Sequence, residues 1–340
     1  MLSNVYRKVY LMLNVNRLRI LREVAERGTI TAAAAVLWIT PPAVSQQLAS
    51  LERETGVKLL EKAGRRVRLT EAGRRLVVDS ERIFAALEET EAALRAATKG
   101  VAGLLHVSAF PTAARAMLVP ALVTMLEEHP RLRVTMVDLE PEESLPALKT
   151  GQLDLVVTYH WDVLPDIEDA GIEREQLLVE PTYLALPRSH PAAGAPVHLK
   201  DFADAQWIVG RDSTSMIDLV VAAANRAGYQ PKTDLHSMDF QVILAAVNAG
   251  LGVALVPPLA LITDYPNVAF QPIADMPLHR RIHASIRRGS GGDPAIAAVL
   301  AHLRVVSAGL QADLRKPPHG GSDDRLSSDT AARKPRRRKA

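Results

Sequence analysis

Residues 30–51, ITAAAAVLWITPPAVSQQLASL, constrain this chain more than any other stretch. Two helical patterns flank a tight break. The first covers residues 31–38. The second starts at Pro42 and places Val44, Leu48 and Leu51 at i, i+4 and i+7 on one face. Between them, Pro41 biases Thr40 away from helical angles. Pro42 suits a first helical turn, where its missing N–H would be unpaired anyway. The alanines of the first helix let a second helix cross close by. The outward face of the second carries Ser45, Gln46, Gln47, Ala49 and Ser50, which are short or amide side chains without dense charge. Such a face suits a helix entering a major groove, where Gln pairs with an adenine edge and Ser with several bases.

The residues that follow extend the unit. Strand-like runs at 59–62 and 66–70 flank Ala63-Gly64-Arg65 and predict a small basic wing. Residues 18–76 resemble the N-terminal domain of LysR-type transcriptional regulators. The resemblance rests on LRILREVAERGTITAAAAVL, then ITPPAVSQQLASLERETGVKLLEK, then GRRVRLTEAGRRLV. The chain departs from the family's pattern at Ile30, where an aromatic is preferred. Pro41 and Gln46 also stand where Gln and Arg are frequent.

Charge is partitioned along the chain. Residues 1–70 hold 12 Lys/Arg against 5 Asp/Glu, residues 309–340 hold 9 against 4, and the span between holds 20 against 29. A basic head on an acidic body points to a polyanion partner for the head. A length of 340 residues accommodates two or more domains. The chain has no cysteine, which excludes disulfides, thiolate metal sites and cysteine nucleophiles. No run was expected to approach a membrane span, and the N-terminus lacks a signal-peptide core. The expected location is therefore cytoplasmic, with no membrane partner.

The expected organisation is α/β overall. Residues 1–15 form an N-terminal extension and residues 16–70 an all-α winged helix-turn-helix. Residues 71–99 form a linker helix that Thr70 caps. Along it Leu76, Ile83, Leu87 and Leu94 build a heptad-like seam, with Ser80 and Thr90 as imperfections. A helix that long, with no domain of its own to pack on, is expected to dimerise. After a hinge at 100–103 the texture alternates strand and helix, which argues for βαβ units on a parallel sheet. Two lobes are expected within residues 103–308. Lobe I takes 103–160 and 267–308, and lobe II takes 161–266. This two-lobed α/β arrangement resembles the periplasmic-binding-protein fold that LysR effector domains adopt. Residues 309–340 read as a disordered basic tail.

Candidate site residues follow from this layout. Pro42, Ser45 and Gln46 are expected at base edges, with Thr40, Pro41 and Ser50 in a lesser role. Arg65, Arg66 and Arg68 in the wing, with Thr31 at a helix N-terminus, are expected on phosphates. Ligands of two-lobed α/β folds lie outside the carboxyl ends of strands, near helix N-termini. That singles out Phe110, Pro111, Thr112, Glu140, Glu142, Thr158 and His160 in one lobe, and Ser213, Thr214, Asp239 and Phe240 in the other. Each Ser, Thr or Asp among them also suits a plain helix cap. Helix-end N–H groups beside carboxylates would satisfy a zwitterion, so the expected effector is an amino acid or organic acid.

No catalytic motif is present: there is no G-x-S-x-G, Walker loop or H-E-x-x-H. Gly250-Leu251-Gly252 ends a helix rather than opening one. His279 and His283 fall on a strand pattern too far apart to share a metal ion. No enzyme activity, metal or cofactor is expected. The resemblance implies a regulator that binds a promoter inverted repeat as a dimer or dimer of dimers. A small molecule between its lobes would control it, and RNA polymerase is a further candidate partner. The competing readings are a solute-binding module and a nucleoid-type protein without an effector.

Overall fold

The computed structural model describes residues 12–63, 66–97, 100–166, 169–212, 214–263 and 265–314. Arg65, Ser213, the N-terminal residues 1–11 and the tail from 315 onward lie outside the described residues, as does the side chain of Arg66.

Helix caps set the register of the head. α1 (Val15–Arg27) starts on Asn14, whose side chain accepts from the Arg17 amide, and stops at Gly28 with φ 69°. α2 (Ile30–Val36) is capped by Thr29 and α3 (Pro41–Thr55) by Thr40. Pro41 and Pro42 thus occupy the first two helical positions, one residue earlier than the sequence pattern suggested. The first helical pattern ends at Val36, not Trp38, because Trp38 adopts φ 55° and turns the chain toward α3. Leu18, Leu21, Val24, Ala33, Ala34, Val44, Leu48, Leu51 and Leu59 form one buried core among the three helices and the wing. The wing strands β1 (Leu60–Ala63) and β2 (Arg66–Leu69) pair antiparallel.

α4 (Glu71–Ala96) begins on Thr70, whose hydroxyl accepts from the Gly73 amide at 3.1 Å. A side chain at Gly73 would collide with the Leu59 carbonyl, so only glycine lets the wing sit on this first turn. The expectation that α4 has nothing of its own to pack on is corrected here. Its face at Gly73, Ser80, Phe84 and Ala92 is buried within its own chain. Leu76 and Ile83 pack against the core of the head. Two ion pairs tie its far half down, Arg287 to Glu88 at 2.6 Å and Arg95 to Asp293 at 2.5 Å.

The remainder alternates as the sequence indicated, and the strands and helices separate into two compact units. β3 (Gly103–Ala109) runs parallel to both β4 (Leu132–Asp138) and β5 (Leu155–Trp161). With β12 (His279–Arg287) and β6 (Ile172–Pro181) they form a five-stranded sheet in the order β4-β3-β5-β12-β6. The helical segment after β3 is interrupted. α5 (Pro111–Ala113) leads into a π-turn, Ala114–Leu118, before α6 (Val119–Glu128), whose second residue is Pro120. α7 (Pro141–Lys149) follows β4. Among the described residues, those within 12–159, 169–177 and 282–308 make up the first unit, so the head, α4 and this part of the effector domain belong to it.

Among the described residues, the second unit takes 160–166, 178–281 and 309–314. β7 (Tyr183–Pro187) is flanked antiparallel by β10 (Ala254–Val256) and β11 (Val268–Gln271). Residues 267–281 were expected in lobe I; β11 instead completes this sheet, because Val268, Ala269 and Gln271 are buried against β7. β8 (Gln206–Val209) and β9 (Lys232–His236) run parallel, and α8 (Ser215–Arg226) and α9 (Phe240–Asn248) pack beside them. α10 (Pro294–Asp313) is the one place where the described residues hold a helix apolar and long enough to cross a membrane, contrary to expectation. Its Ile296, Val299, Leu300 and Leu303 are buried, and Arg304 is paired to Glu175 at 2.6 and 2.7 Å. A core-facing helix of a folded domain passes the same compositional test.

Candidate nucleic-acid interface

The two faces of α3 divide by chemistry. Val44, Leu48 and Leu51 are buried, while Pro41, Pro42, Ser45, Gln46 and Ala49 are exposed. The apolar face is fixed to α1 and α2 by the core, which presents the opposite face as one rigid surface. Thr40 also lies exposed, its Oγ1 accepting from the Ala43 amide at 3.4 Å, and Ser45 Oγ donates to the Pro41 carbonyl at 3.1 Å. Among the described residues, Gln46 makes no such tie.

The other polar residues of the helix are differently placed. Gln47, grouped with the outward face by the pattern, is half-buried and accepts from Arg17 Nε at 2.9 Å. Ser50 accepts from Arg53 Nη2 at 2.9 Å, so an arginine that the pattern passed over stands on the same side of α3. Thr31 is exposed in the first turn of α2, but the cap of that helix is Thr29. Arg68 is exposed on β2.

The wing is anchored by one carboxylate at the end of α3. Glu52 accepts from the Leu59 and Leu60 amides at 2.9 and 3.3 Å and from Lys58 Nζ at 2.7 Å. Burial alone would raise its pKa, but these hydrogen bonds outweigh it and hold the carboxyl below its ordinary value. This link spaces the strand pair from α3.

Two side chains of the expected dimer seam, Leu87 and Leu94, are 38% and 68% exposed. The other two, Leu76 and Ile83, are half-buried against the head.

Within the first unit the expected effector residues gather at the carboxyl ends of β3, β4 and β5. Phe110 is buried, its ring edge-on to Tyr159 at 4.6 Å, and Tyr159 Oη donates to Glu140 at 3.0 Å. Tyr159 joins Phe110 to Glu140, a link the sequence pattern gave no means of seeing. Pro111 is exposed, Thr112 half-buried, and Glu142 exposed on the first turn of α7. Thr158 is buried, its hydroxyl 2.9 Å from Ser285.

Within the second unit, Thr214 Oγ1 donates to the Arg211 carbonyl at 2.6 Å, and Asp239 caps α9 by accepting from the Gln241 amide at 2.8 Å. Phe240 is a core residue. His160 lies 3.9 Å from Asp166. The loops around 210 and 238 meet directly. His236 Nδ1 is 3.0 Å from the Gly210 carbonyl, and a Cβ at Gly210 would fall 2.5 Å from Met216 Cβ.

The head and the α/β region define a class, a DNA-binding module joined to a small-molecule-binding module. Residues 15–74 match the family described as bacterial regulatory helix-turn-helix protein, lysR family, and residues 98–307 match the LysR substrate binding domain. The HTH-type transcriptional regulator BudR of Raoultella terrigena is 30% identical over 279 residues, covering 80% of this chain and 93% of that protein. TcbR of Pseudomonas sp. (strain P51), also an HTH-type transcriptional regulator, is 28% identical over 83% of this chain and 95% of its own. Among solved structures, the OxyR C206 mutant of Corynebacterium glutamicum is similar with a TM-score of 0.54 and 27% identity, covering 91% of this chain and 95% of that one. The chain belongs to the LysR family of DNA-binding transcriptional regulators.

Proposed function

We propose that α3 reads base edges with Pro42, Ser45 and Gln46, with Thr40, Pro41 and Ser50 in a lesser role. Arg65, Arg66 and Arg68 hold phosphates on the flanking groove, and Thr31 anchors the strand at α2. The observation that carries this reading is the exposure of Ser45 and Gln46 on a helix whose opposite face is fixed in the core. Gln46 is an amide able to pair bidentately with adenine. Two copies join along α4, with Leu87 and Leu94 as apolar contacts and Leu76 and Ile83 beside them. Their heads then meet an inverted repeat, and a dimer of dimers would engage two such sites.

The effector is a small carboxylate-bearing metabolite, an amino acid or organic acid, held by the strand-end loops that carry Phe110, Thr112, Glu140 and Thr158, or Thr214 and Asp239. Its unequal affinity for two arrangements of the protein shifts promoter output. RNA polymerase is the partner through which the shift is read, and the protein works in the cytoplasm, where its DNA is. It carries out no catalysis of its own.

Selection of duplexes from a randomised pool on the full chain, with and without candidate metabolites, tests this reading. A symmetric site whose affinity changes with one metabolite supports it. Failure to enrich any sequence sinks it. On the selected site, Gln46→Ala should alter the preferred base at its position at a cost of about 1–3 kcal/mol in discrimination. Arg68→Ala should weaken all duplexes alike and flatten the salt slope by about 0.9.

A further inference from the structure

Trp38 sits where helix physics argues against it. The amide of Ile39 donates to the Ala34 carbonyl at 3.1 Å, and the amide of Trp38 points to the Ala35 carbonyl at 3.4 Å. These two bonds close the C-terminus of α2 in the arrangement that ordinarily has glycine at the left-handed position. Trp38 takes that position, with φ 55°, and it is the one non-glycine residue with positive φ among the described residues. A bulky L side chain is disfavoured there. The side chain does not bury itself in compensation: Trp38 is 82% exposed, whereas Trp161 and Trp207 are each 1% exposed.

The neighbouring helix start lacks something that Trp38 can supply. The first turn of a helix carries free N–H groups that can bind an anion such as a phosphate. In α3 the first two positions are Pro41 and Pro42, which have no N–H, and the third amide, Ala43, is taken by Thr40 Oγ1. The end of the helix dipole remains, but its first three donors are gone. Two residues before the cap stands an exposed indole, with an N–H donor and a flat apolar face able to lie on deoxyribose.

We propose that Trp38 is a DNA-backbone contact of this regulator: its indole Nε1–H donates to a phosphate oxygen beside the start of α3, and its ring packs on the adjoining sugar. The chain keeps a left-handed tryptophan in the turn because two prolines removed the backbone donors that would do the same task. This inference rests on the assignment of α3 as the reading helix. It makes Trp38 a positioning contact, neutral in charge and indifferent to base sequence.

Because the other two tryptophans are buried, acrylamide quenching of the full chain reports Trp38. A duplex obtained by selection on the wild-type chain should shield that fluorescence from acrylamide. Trp38→Gly should raise the melting temperature, since glycine accepts the turn freely, yet weaken duplex binding about tenfold. Trp38→Phe should fall between, keeping the ring but losing the donor. In both variants the preferred sequence and the slope of affinity against salt should stay as in the wild type, because no charge has been removed. Trp38 remaining open to acrylamide in the saturated complex, or Trp38→Gly binding as tightly as wild type, overturns the proposal. So does shielding by purified RNA polymerase holoenzyme but not by duplex, which would make the residue a protein-docking contact. If no duplex is enriched at all, it is the reading of the head that has failed.

Discussion

Two glutamates, one in the effector region and one in the head, are equally buried and oppositely treated. Glu180 on β6 and Glu23 on α1 are both 0% exposed. Glu180 accepts from Arg280 Nε at 2.8 Å and from the Leu259 amide at 2.9 Å, and Arg280 lies 5.5 Å from the Trp161 ring. Among the described residues neither oxygen of Glu23 has a hydrogen-bond donor; Arg22 and Arg27 approach only to 3.8 and 3.5 Å. Burial, with the charge of Glu26 nearby, pushes the Glu23 carboxyl above its ordinary value. The first arrangement stitches β6, β12 and the turn at Leu259 together. The second leaves a carboxylate whose charged form is disfavoured by burial.

Around Glu23 the head meets the first part of the effector domain through charge. Arg22 donates to the Lys149 carbonyl at 3.0 Å, Lys149 pairs with Glu26 at 2.8 Å and also with Asp169, and Arg22 approaches Glu81 to 3.6 Å. Burial raises the Glu81 pKa as well. Burial would lower the Lys149 pKa, yet the hydrogen bonds from Lys149 to Asp169 and Glu26 keep it raised. A buried ionic contact holds geometry without contributing much net stability. The lesson is that burial alone does not say whether a charge is a fastener. The hydrogen-bond inventory does.

The largest effect is expected of Glu180→Ala, which removes the carboxylate that the buried Arg280 bonds to. The expected loss is about 3–5 kcal/mol, read by urea unfolding. A loss below 1 kcal/mol would show that the pair is not a fastener. Leu51→Ala, in the core of the head, should cost about 2–5 kcal/mol and abolish duplex binding with it. Glu52→Ala leaves the Leu59 and Leu60 amides without their acceptor, and about 1–3 kcal/mol should be lost at neutral pH. The depressed pKa of Glu52 means its contribution is present above its unfolded value and disappears as pH falls through the lower folded one.

Glu23→Gln should have the smallest effect and the opposite sign with pH. A raised folded pKa means that the contribution of Glu23 is complete below its unfolded value of about 4.5 and is lost as pH rises through the folded value. At pH 7.5 the variant should be as stable as the parent or more so, by about 1 kcal/mol at most. As pH is lowered toward 5 the parent should gain on the variant. Unfolding curves at the two pH values decide it, and a parent that loses ground on acidification would reverse the assignment.

Much of the head was legible because its signals are local. Thr40, Pro41 and Pro42 announce a helix start, and Val44, Leu48 and Leu51 name the face that must be buried, since both effects act within a few residues. The βα alternation from 103 onward was readable for the same reason. What escaped was non-local. Nothing near 268–271 says that this strand joins β7 rather than the larger sheet. Nothing in the heptad of α4 says that Leu76 and Ile83 are already claimed by the head, leaving only Leu87 and Leu94 exposed. Gln47 is equivalent to Gln46 in the helical pattern, and only Arg17, thirty residues away, sets it apart by bonding to it.

The order of modules, the helix-turn-helix with its wing and the polar character of the outward face of α3 can all be read from the chain alone. Periodicity, capping and proline geometry are short-range physics. Only the tertiary structure decided which polar residues stay exposed for a partner and which are spent inside the chain. Tyr159 on Glu140, Arg17 on Gln47 and Arg280 on Glu180 are all decisions of that kind. Each depends on the meeting of residues remote in sequence, and hydrogen bonding is satisfied in space rather than along the chain.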